Sequence, residues 1–417
     1  MWGHGWDETR WVGRQWVGRA ELDEAAGNRP VYLSRIDVHS AVASTALVAL
    51  APGARTAQGW SPDGPLTGQA HHDVRRAAKE SITPVMRRRA QAGFLRHAAA
   101  RGLAGVHECA GPDISGVDDL ADLLAVRGGP EVVGYWGELG AVDTAVAVGA
   151  RGVAGDLFVD GALGSRTAAL CAPYTDSPSG SGTLYLDAEQ VREHVITCTR
   201  AGLQAGFHAI GDAAIAVVVA GFERAAEAVG VAALAACRHR LEHLEMIDAR
   251  QAAALAGLGV IGSVQPVFDA EWGGADGMYA RRLGADRGTR LNPFSVLSSA
   301  GMGLAFGSDA PVTPVNPWAA VRAAVHHRTD GFGISARAAF TAHTRGGWRA
   351  AGVVDRLAGT LVPGASATYA VWRVEELVAG VAGEPVLPVL DEGAAVPECL
   401  RTVLCGETIF DREGALR

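Results

Sequence analysis

Lysine is almost absent from this chain of 417 residues: Lys79 stands alone, and every other residue among its 37 basic side chains is arginine. Chemistry that needs a lysine therefore has one candidate. No CxxC pair joins any of the six cysteines (Cys109, Cys171, Cys198, Cys237, Cys399, Cys405), which excludes a zinc ribbon and gives no sign of a disulfide framework. Such usage fits a reducing cytoplasm. No apolar run is long enough to span a bilayer; the longest, 42–51 and 213–222, fall well short. The first residues, 1–14, are rich in Trp, Gly and charge and lack the apolar centre of a signal peptide. Acidic residues (45) outnumber basic ones, the net charge is -8 and no basic stripe occurs, so neither a membrane nor a nucleic acid is expected as a partner.

What remains is a soluble globular composition, 48% hydrophobic and 20% charged, with length for more than one domain. Across the middle of the chain a short apolar run, a Gly-rich or polar break and a stretch of three- and four-residue apolar spacing recur. That alternation predicts βα units and a parallel sheet. Strands are expected at 103–108, 132–137, 156–160, 204–209, 239–243, 260–265 and 303–307, which is one short of eight. Helices are expected at 84–101, 188–200, 249–258 and 318–327, opened or closed by Gly102, Asp187, Asp248 and Asn316-Pro317. Three segments follow: 1–100 as an insertion or cap without a βα repeat, 101–354 as a (β/α)8-type barrel, and 355–417 as part of a small β domain. In the last, β runs are expected at 360–363, 368–373, 401–405 and 408–410.

Barrels of this type carry their chemistry at the C-terminal ends of the strands. Polar residues gather there: His107-Glu108, Asp160, His208, Glu242-His243, Gln265 and Ser308-Asp309. His208, His243 and Asp309 form a suitable set for a divalent ion such as zinc, with a further position open for water. The ion would bring the pKa of that water toward neutrality, and Asp309 would accept its proton and return it to a leaving group. Taken singly, a strand-end histidine is more often a satisfied hydrogen-bonding residue than a ligand; His208, His243 and Asp309 together, at the ends of the fourth, fifth and last of these strands, shift the balance. His71, His72, His239, His326 and His327 read as surface or helix residues. Trp2, Trp6, Trp11 and Trp60 read as packing first and as pocket walls second.

The runs 156–168 (DLFVDGALGSRTA), 208–212 (HAIGD), 238–243 (RHRLEH), 263–266 (SVQP) and 307–312 (GSDAPV) together resemble the YtcJ-like branch of the metal-dependent amidohydrolases. So do 5–8 (GWDE), 29–39 (RPVYLSRIDVH) and 359–364 (GTLVPG). The resemblance implies a distorted (β/α)8 barrel, a small β-sandwich built from both chain ends, and hydrolysis of a non-peptide C–N bond in amides or N-substituted formamides. It implies His208 and His243 as metal ligands, with His243 also catalytic, and Asp309 as the residue that orients and deprotonates water. His39, Arg166, Asp160 and Gln265 would lie on the substrate side.

Two departures alter those expectations. The family's first barrel strand ends in a His-x-His pair, and no His-x-His occurs in this sequence. The expectation is therefore of a chain whose first strand and half of whose sandwich lie upstream of Met1. Asp156 stands where the family usually has a carboxylated lysine bridging two metals, and Lys79, in an Arg-rich helical stretch, is not expected to take that role. Asp156 is then either a ligand or a solvated strand start, and one ion, most simply zinc, is expected rather than two. A non-catalytic barrel that binds a ligand or partner, and a metal-dependent deaminase, are the alternative readings. Exposed sheet edges raise the further expectation of a homodimer.

Overall fold

The computed structural model describes residues 1–13, 15–378 and 386–412. Parts of the expected C-terminal segment, 379–385 and 413–417, lie outside the described residues. The N-terminal segment forms a four-stranded mixed sheet of β1 (Trp2–Trp6), β2 (Tyr32–Arg35), β3 (Ser40–Ala43) and β4 (Leu66–Thr67). Its β1–β2 pair is parallel, and the β2–β3 and β3–β4 pairs are antiparallel. Tyr32, Leu47, Leu66 and Val74 form its apolar centre, which closes over helix Gly68–Lys79.

The next seven strands are β5 (Gly105–Ala110), β6 (Glu131–Trp136), β7 (Gly152–Val153), β8 (Gln204–Ala209), β9 (Arg240–His243), β10 (Ile261–Val264) and β11 (Gly303–Phe306). They lie side by side in chain order, and every neighbouring pair is parallel. Six coincide with the expected strands to within about two residues. The third differs. Residues 156–160 lie beyond the end of β7 and make a single bridge, Phe158 to His208, because Gly155 at φ +83° turns the chain out of the ladder.

The sheet is curled. His107 on β5 lies four strands from Arg240 on β9, a gap of about 19 Å in a flat sheet, yet their side chains meet at 2.9 Å. Its two ends also approach: a Cβ on Gly105 of β5 would stand 3.1 Å from the ring of Trp348, which belongs to helix Arg345–Ala350 after β11. The architecture is an α/β barrel of the TIM type, with seven strands among the described residues.

Helices cover the outer face. Phe207, Leu241, Ile215, Phe222, Val195 and Leu255 are buried between strands and helices in the largest apolar cluster, where truncation of one phenylalanine costs about 3–5 kcal/mol. The expected helix ends hold: Asp187 and Asp248 each form a capping box, and Asn316 accepts from the Ala319 N–H. No helix among the described residues is long and apolar enough to cross a membrane.

A small antiparallel sheet of β12 (Tyr369–Arg373), β13 (Glu398–Leu404) and β14 (Glu407–Asp411) follows. It packs against the barrel where the Thr402 hydroxyl donates to the Ala99 carbonyl at 2.7 Å. The expected run at 360–363 is instead a turn, in which the Thr360 N–H bonds back to the Leu357 carbonyl.

Of the histidines read as surface or helix residues, two are buried: His71, which does lie on helix Gly68–Lys79, and His239, just before β9. With His194, His239 ties helix Ala188–Arg200 to the sheet. His194 Nδ1 accepts from the Gly140 N–H and its Nε2–H donates to the Val153 carbonyl, while His239 Nδ1 accepts from the Ala205 N–H. Burial lowers both pKa values to about 4. Between pH 6.5 and 4 the unfolded chain binds protons that the folded chain does not, so this stabilisation is complete above pH 6.5 and is lost on acidification. Urea unfolding at pH 7 and pH 5 is expected to differ by about 2 kcal/mol for each group. His194→Asn should flatten the slope; an unchanged slope refutes the assignment.

Candidate functional site

Three side chains converge at the C-terminal end of the barrel. Along β8 alternate residues face inward, so Gln204, Gly206 and His208 share the interior while Phe207 enters the outer core. On β9, Arg240 and Glu242 take the interior positions, and regular pleating would send His243 outward. Its φ of +74°, followed by +55° at Leu244, swings the imidazole back to the cavity. Backbone of this kind costs about 1–3 kcal/mol per residue, and the Leu244 N–H bonded to the Ala209 carbonyl helps to hold it.

Asp156 arrives by close backbone approach. A Cβ on Gly137 would lie 2.9 Å from the Asp156 carbonyl carbon, and one on Gly155 would lie 2.8 Å from Cys109 Cβ. Two glycines thus let the segment press against β5 and β6, which compensates for a short carboxylate. The ligand atoms of Asp156, His208 and His243 lie within 4.8 Å of one another.

The imidazoles are oriented by their other nitrogens. His208 Nε2–H donates to the Gly161 carbonyl at 3.2 Å, which leaves Nδ1 as a buried lone pair without a partner. His243 Nδ1–H donates to Gln265 Oε1 at 2.8 Å, which leaves Nε2 as its free lone pair. Burial, and then each ring's neighbouring histidine, lowers both pKa values, that of His243 to about 3. Both rings are neutral, as a metal ligand requires.

Asp309 follows β11 at φ +53° and faces the same cavity, outside the tight group of three. Burial, then the charges of Asp156 and Glu242, raises its pKa well above the usual carboxylate value. His39, in the turn between β2 and β3, lies 5.0 Å from His208 between ring centres. Gln265 lines the cavity and orients His243. The structure does not bring Asp160 and Arg166 to the cavity wall. Asp160 is fully buried and accepts from the N–H groups of Ala169, Ile210 and Gly211. Arg166 forms a two-point ion pair with Asp176.

The cavity measures about 480 Å³. Its wall carries four carboxylates, Glu108, Asp156, Glu242 and Asp309, against two guanidiniums, Arg75 and Arg240. A formal excess of two negative charges remains. Burial and Asp119 raise Glu108 to about 7; burial and Glu242 raise Asp156 to about 7. Glu242 is paired with Arg240 at 2.6 and 3.1 Å. A larger cavity of about 770 Å³ lies at the opposite, N-terminal ends of the strands, near Ile261 and Gly303, and no histidine lines it.

Glu242 was read from sequence only as one of the polar strand-end residues and Arg240 only as part of a run, while His72 was read as a surface or helix residue and Arg75 was not singled out. Strand alternation on β9 was the available signal for the first two; nothing in the sequence marked the other pair. The charged residues of the runs 5–8 and 29–39 have a different role. Arg35 bonds Asp7, Glu8 and Asp37, and Arg282 bonds Glu8, in a buried ion network below the turn that holds His39.

The fold and this arrangement define a barrel of the kind that hydrolytic metalloenzymes use. The sequence model of the amidohydrolase family matches residues 1–410, and the chain belongs to that family. It is 29% identical to the protein YtcJ of Bacillus subtilis (strain 168), over 79% of this chain and 64% of that protein. It is 28% identical to LONG AFTER FAR-RED 3 of Arabidopsis thaliana, over 88% of this chain and 68% of that protein. The chain thus spans about two thirds of each of these relatives. Among solved structures, an uncharacterized metal-dependent hydrolase from Pyrococcus furiosus superposes with a TM-score of 0.65 at 27% identity, over 88% of this chain and 76% of that one.

Gln265→Leu removes the acceptor that fixes the His243 tautomer. Zinc affinity, measured by competition with a chromophoric chelator, is expected to fall about 10- to 100-fold with the fold intact. Wild-type affinity in that variant would remove Gln265 from the site.

Proposed function

We propose that the chain is a metal-dependent hydrolase that cleaves a carbon–nitrogen bond, other than a peptide bond, in a small amide or N-substituted formamide. One observation carries this reading: two neutral imidazole lone pairs and a carboxylate converge within 4.8 Å in a cavity whose carboxylates outnumber its guanidiniums. That donor set suits one divalent ion, zinc before calcium or magnesium, because imidazole nitrogen predominates. Asp156, His208 and His243 would hold it. The short Asp156 side chain favours one ion over a bridged pair. Family membership and the printed description of the Pyrococcus furiosus structure support the same chemistry.

A bound ion of this kind acidifies a water molecule and polarises a carbonyl oxygen. The remaining steps belong to the chain. Asp309 faces the cavity from the end of β11 and takes one proton from the attacking water as its oxygen bonds to the amide carbon. It then gives that proton to the amide nitrogen as the C–N bond breaks, releasing an amine and an acid. Gln265 keeps His243 in one tautomer throughout, and His39 closes the site beside His208. The cavity volume suits a small molecule.

Metal content of the full chain, purified without chelator, is expected to be about one zinc per chain by mass spectrometry. Asp309→Asn should keep that content and reduce turnover of N-substituted formamides about 10²- to 10⁴-fold. A chain that binds no divalent ion, or an Asp309→Asn variant with full turnover, overturns the proposal.

A further inference from the structure

Helix Gly68–Lys79 puts a second recognition element on the cavity wall. Its rotation is fixed by His71, which is buried and shares a 2.6 Å hydrogen bond with the Tyr32 hydroxyl of β2. His72 and Arg75, three residues apart, therefore share the face that lines the cavity. His72 Nδ1 is buried and has no hydrogen-bond partner. The Arg75 guanidinium makes no hydrogen bond or ion pair among the described residues, although its charge acts on Asp156 and lowers that residue's pKa against the effect of burial.

The other guanidinium on this wall is committed. Arg240 is engaged by Glu242, His107 and Ser263, and it lies 4.4 Å over the Tyr135 ring. Arg75 is thus the cation of the wall left to meet a ligand. Phe158 separates the two parts of the cavity, with ring centres 6.2 Å from His72 on one side and 5.0 Å from His208 on the other. A substrate whose reacting carbonyl lies at the imidazoles would reach past Phe158 to the helix.

We propose that His72 and Arg75 form a carboxylate-binding subsite, so that the preferred substrate is an amide carrying one negative charge close to the scissile bond, as in an N-acyl amino acid. A single uncommitted guanidinium among several carboxylates accommodates one anionic charge and disfavours a dianion such as a phosphate monoester. His72 supplies a neutral ring whose nitrogen donates when Nδ1 carries the proton. The proposal rests on the hydrolase reading for the word substrate; the binding itself does not require turnover.

The test is calorimetric titration of the zinc-loaded full chain with N-acetyl-L-leucine and, separately, with N-acetyl-L-leucinamide, which lacks the charge. The wild type is expected to prefer the acid about 10- to 100-fold, the range of a hydrogen bond to a charged group. Arg75→Met should abolish that preference while retaining the affinity for the amide, and Arg75→Lys should retain part of it. Unchanged thermal unfolding of both variants separates lost binding from lost folding. Equal affinities in the wild type, no detectable acid binding, or a preference that persists in Arg75→Met, as direct coordination by zinc would give, overturns the subsite. Turnover of neutral amides without discrimination sinks the subsite and leaves the hydrolase reading; discrimination without any turnover does the reverse.

Discussion

Arg240 places a full positive charge inside the barrel, and much of the site's polar architecture follows from satisfying it. An ion in that position is tolerable when paired and hydrogen bonded on every side. Burial alone would lower its pKa, and Glu242 reverses the effect, so the guanidinium stays charged. Its partners come from β5 (His107), β6 (Tyr135), β9 (Glu242) and β10 (Ser263), strands that a flat sheet would keep apart. The pairing therefore fixes curvature as well as charge. It also assigns the interior place of Glu242, and the next residue, His243, reaches the cavity only through left-handed backbone.

Buried charge in this molecule is of two kinds, which differ in how their carboxylates respond. In the Arg35 network burial is more than offset, at Asp7 by the Thr9 hydroxyl and then the guanidinium and at Glu8 by the guanidinium, and both have lowered pKa values. Those charges are matched within the chain and serve as scaffold. At the cavity, burial is reinforced by other carboxylates, and Glu108, Asp156 and Asp309 are raised. Their ionised forms lack sufficient positive charge among the described residues, so a cation would remove a cost that the protein alone leaves standing.

The barrel was legible because its signal is local. Apolar runs followed by helical spacing located six of seven strands, and their C-terminal ends located His208, His243 and Asp309. Asp156 was ambiguous because the answer lay in two glycines far apart in the chain, Gly137 after β6 and Gly155 after β7, where a missing Cβ rather than a side chain is the informative feature. Asp160 and Arg166 occur in a run that looks functional, yet one satisfies three backbone N–H groups and the other pairs with Asp176. A carboxylate holding backbone and a carboxylate facing a ligand have the same letter. His72 and Arg75 were lost in an arginine-rich stretch because only the Tyr32–His71 bond, across 39 residues, decides which face of their helix meets the cavity.

The segment with the weakest sequence pattern thus supplies one wall of the site. Its placement depends on contacts far apart in the chain: Glu8 with Arg282, Asp37 with Ser165, and His4 Nε2 with the Pro311 carbonyl at 3.2 Å. The last of these matters for chemistry, because Pro311 is two residues beyond Asp309. His4 also meets Ser34 of β2 through Nδ1, so the β1–β2 pair is joined directly to the loop that carries Asp309. A change in how the N-terminal sheet seats on the barrel would therefore move Asp309 and the face bearing His72 and Arg75 together. In a barrel whose strand ends hold the reacting groups and whose loops hold the specificity, that shared seating would couple the proposed recognition subsite to the position of the carboxylate proposed to transfer the proton.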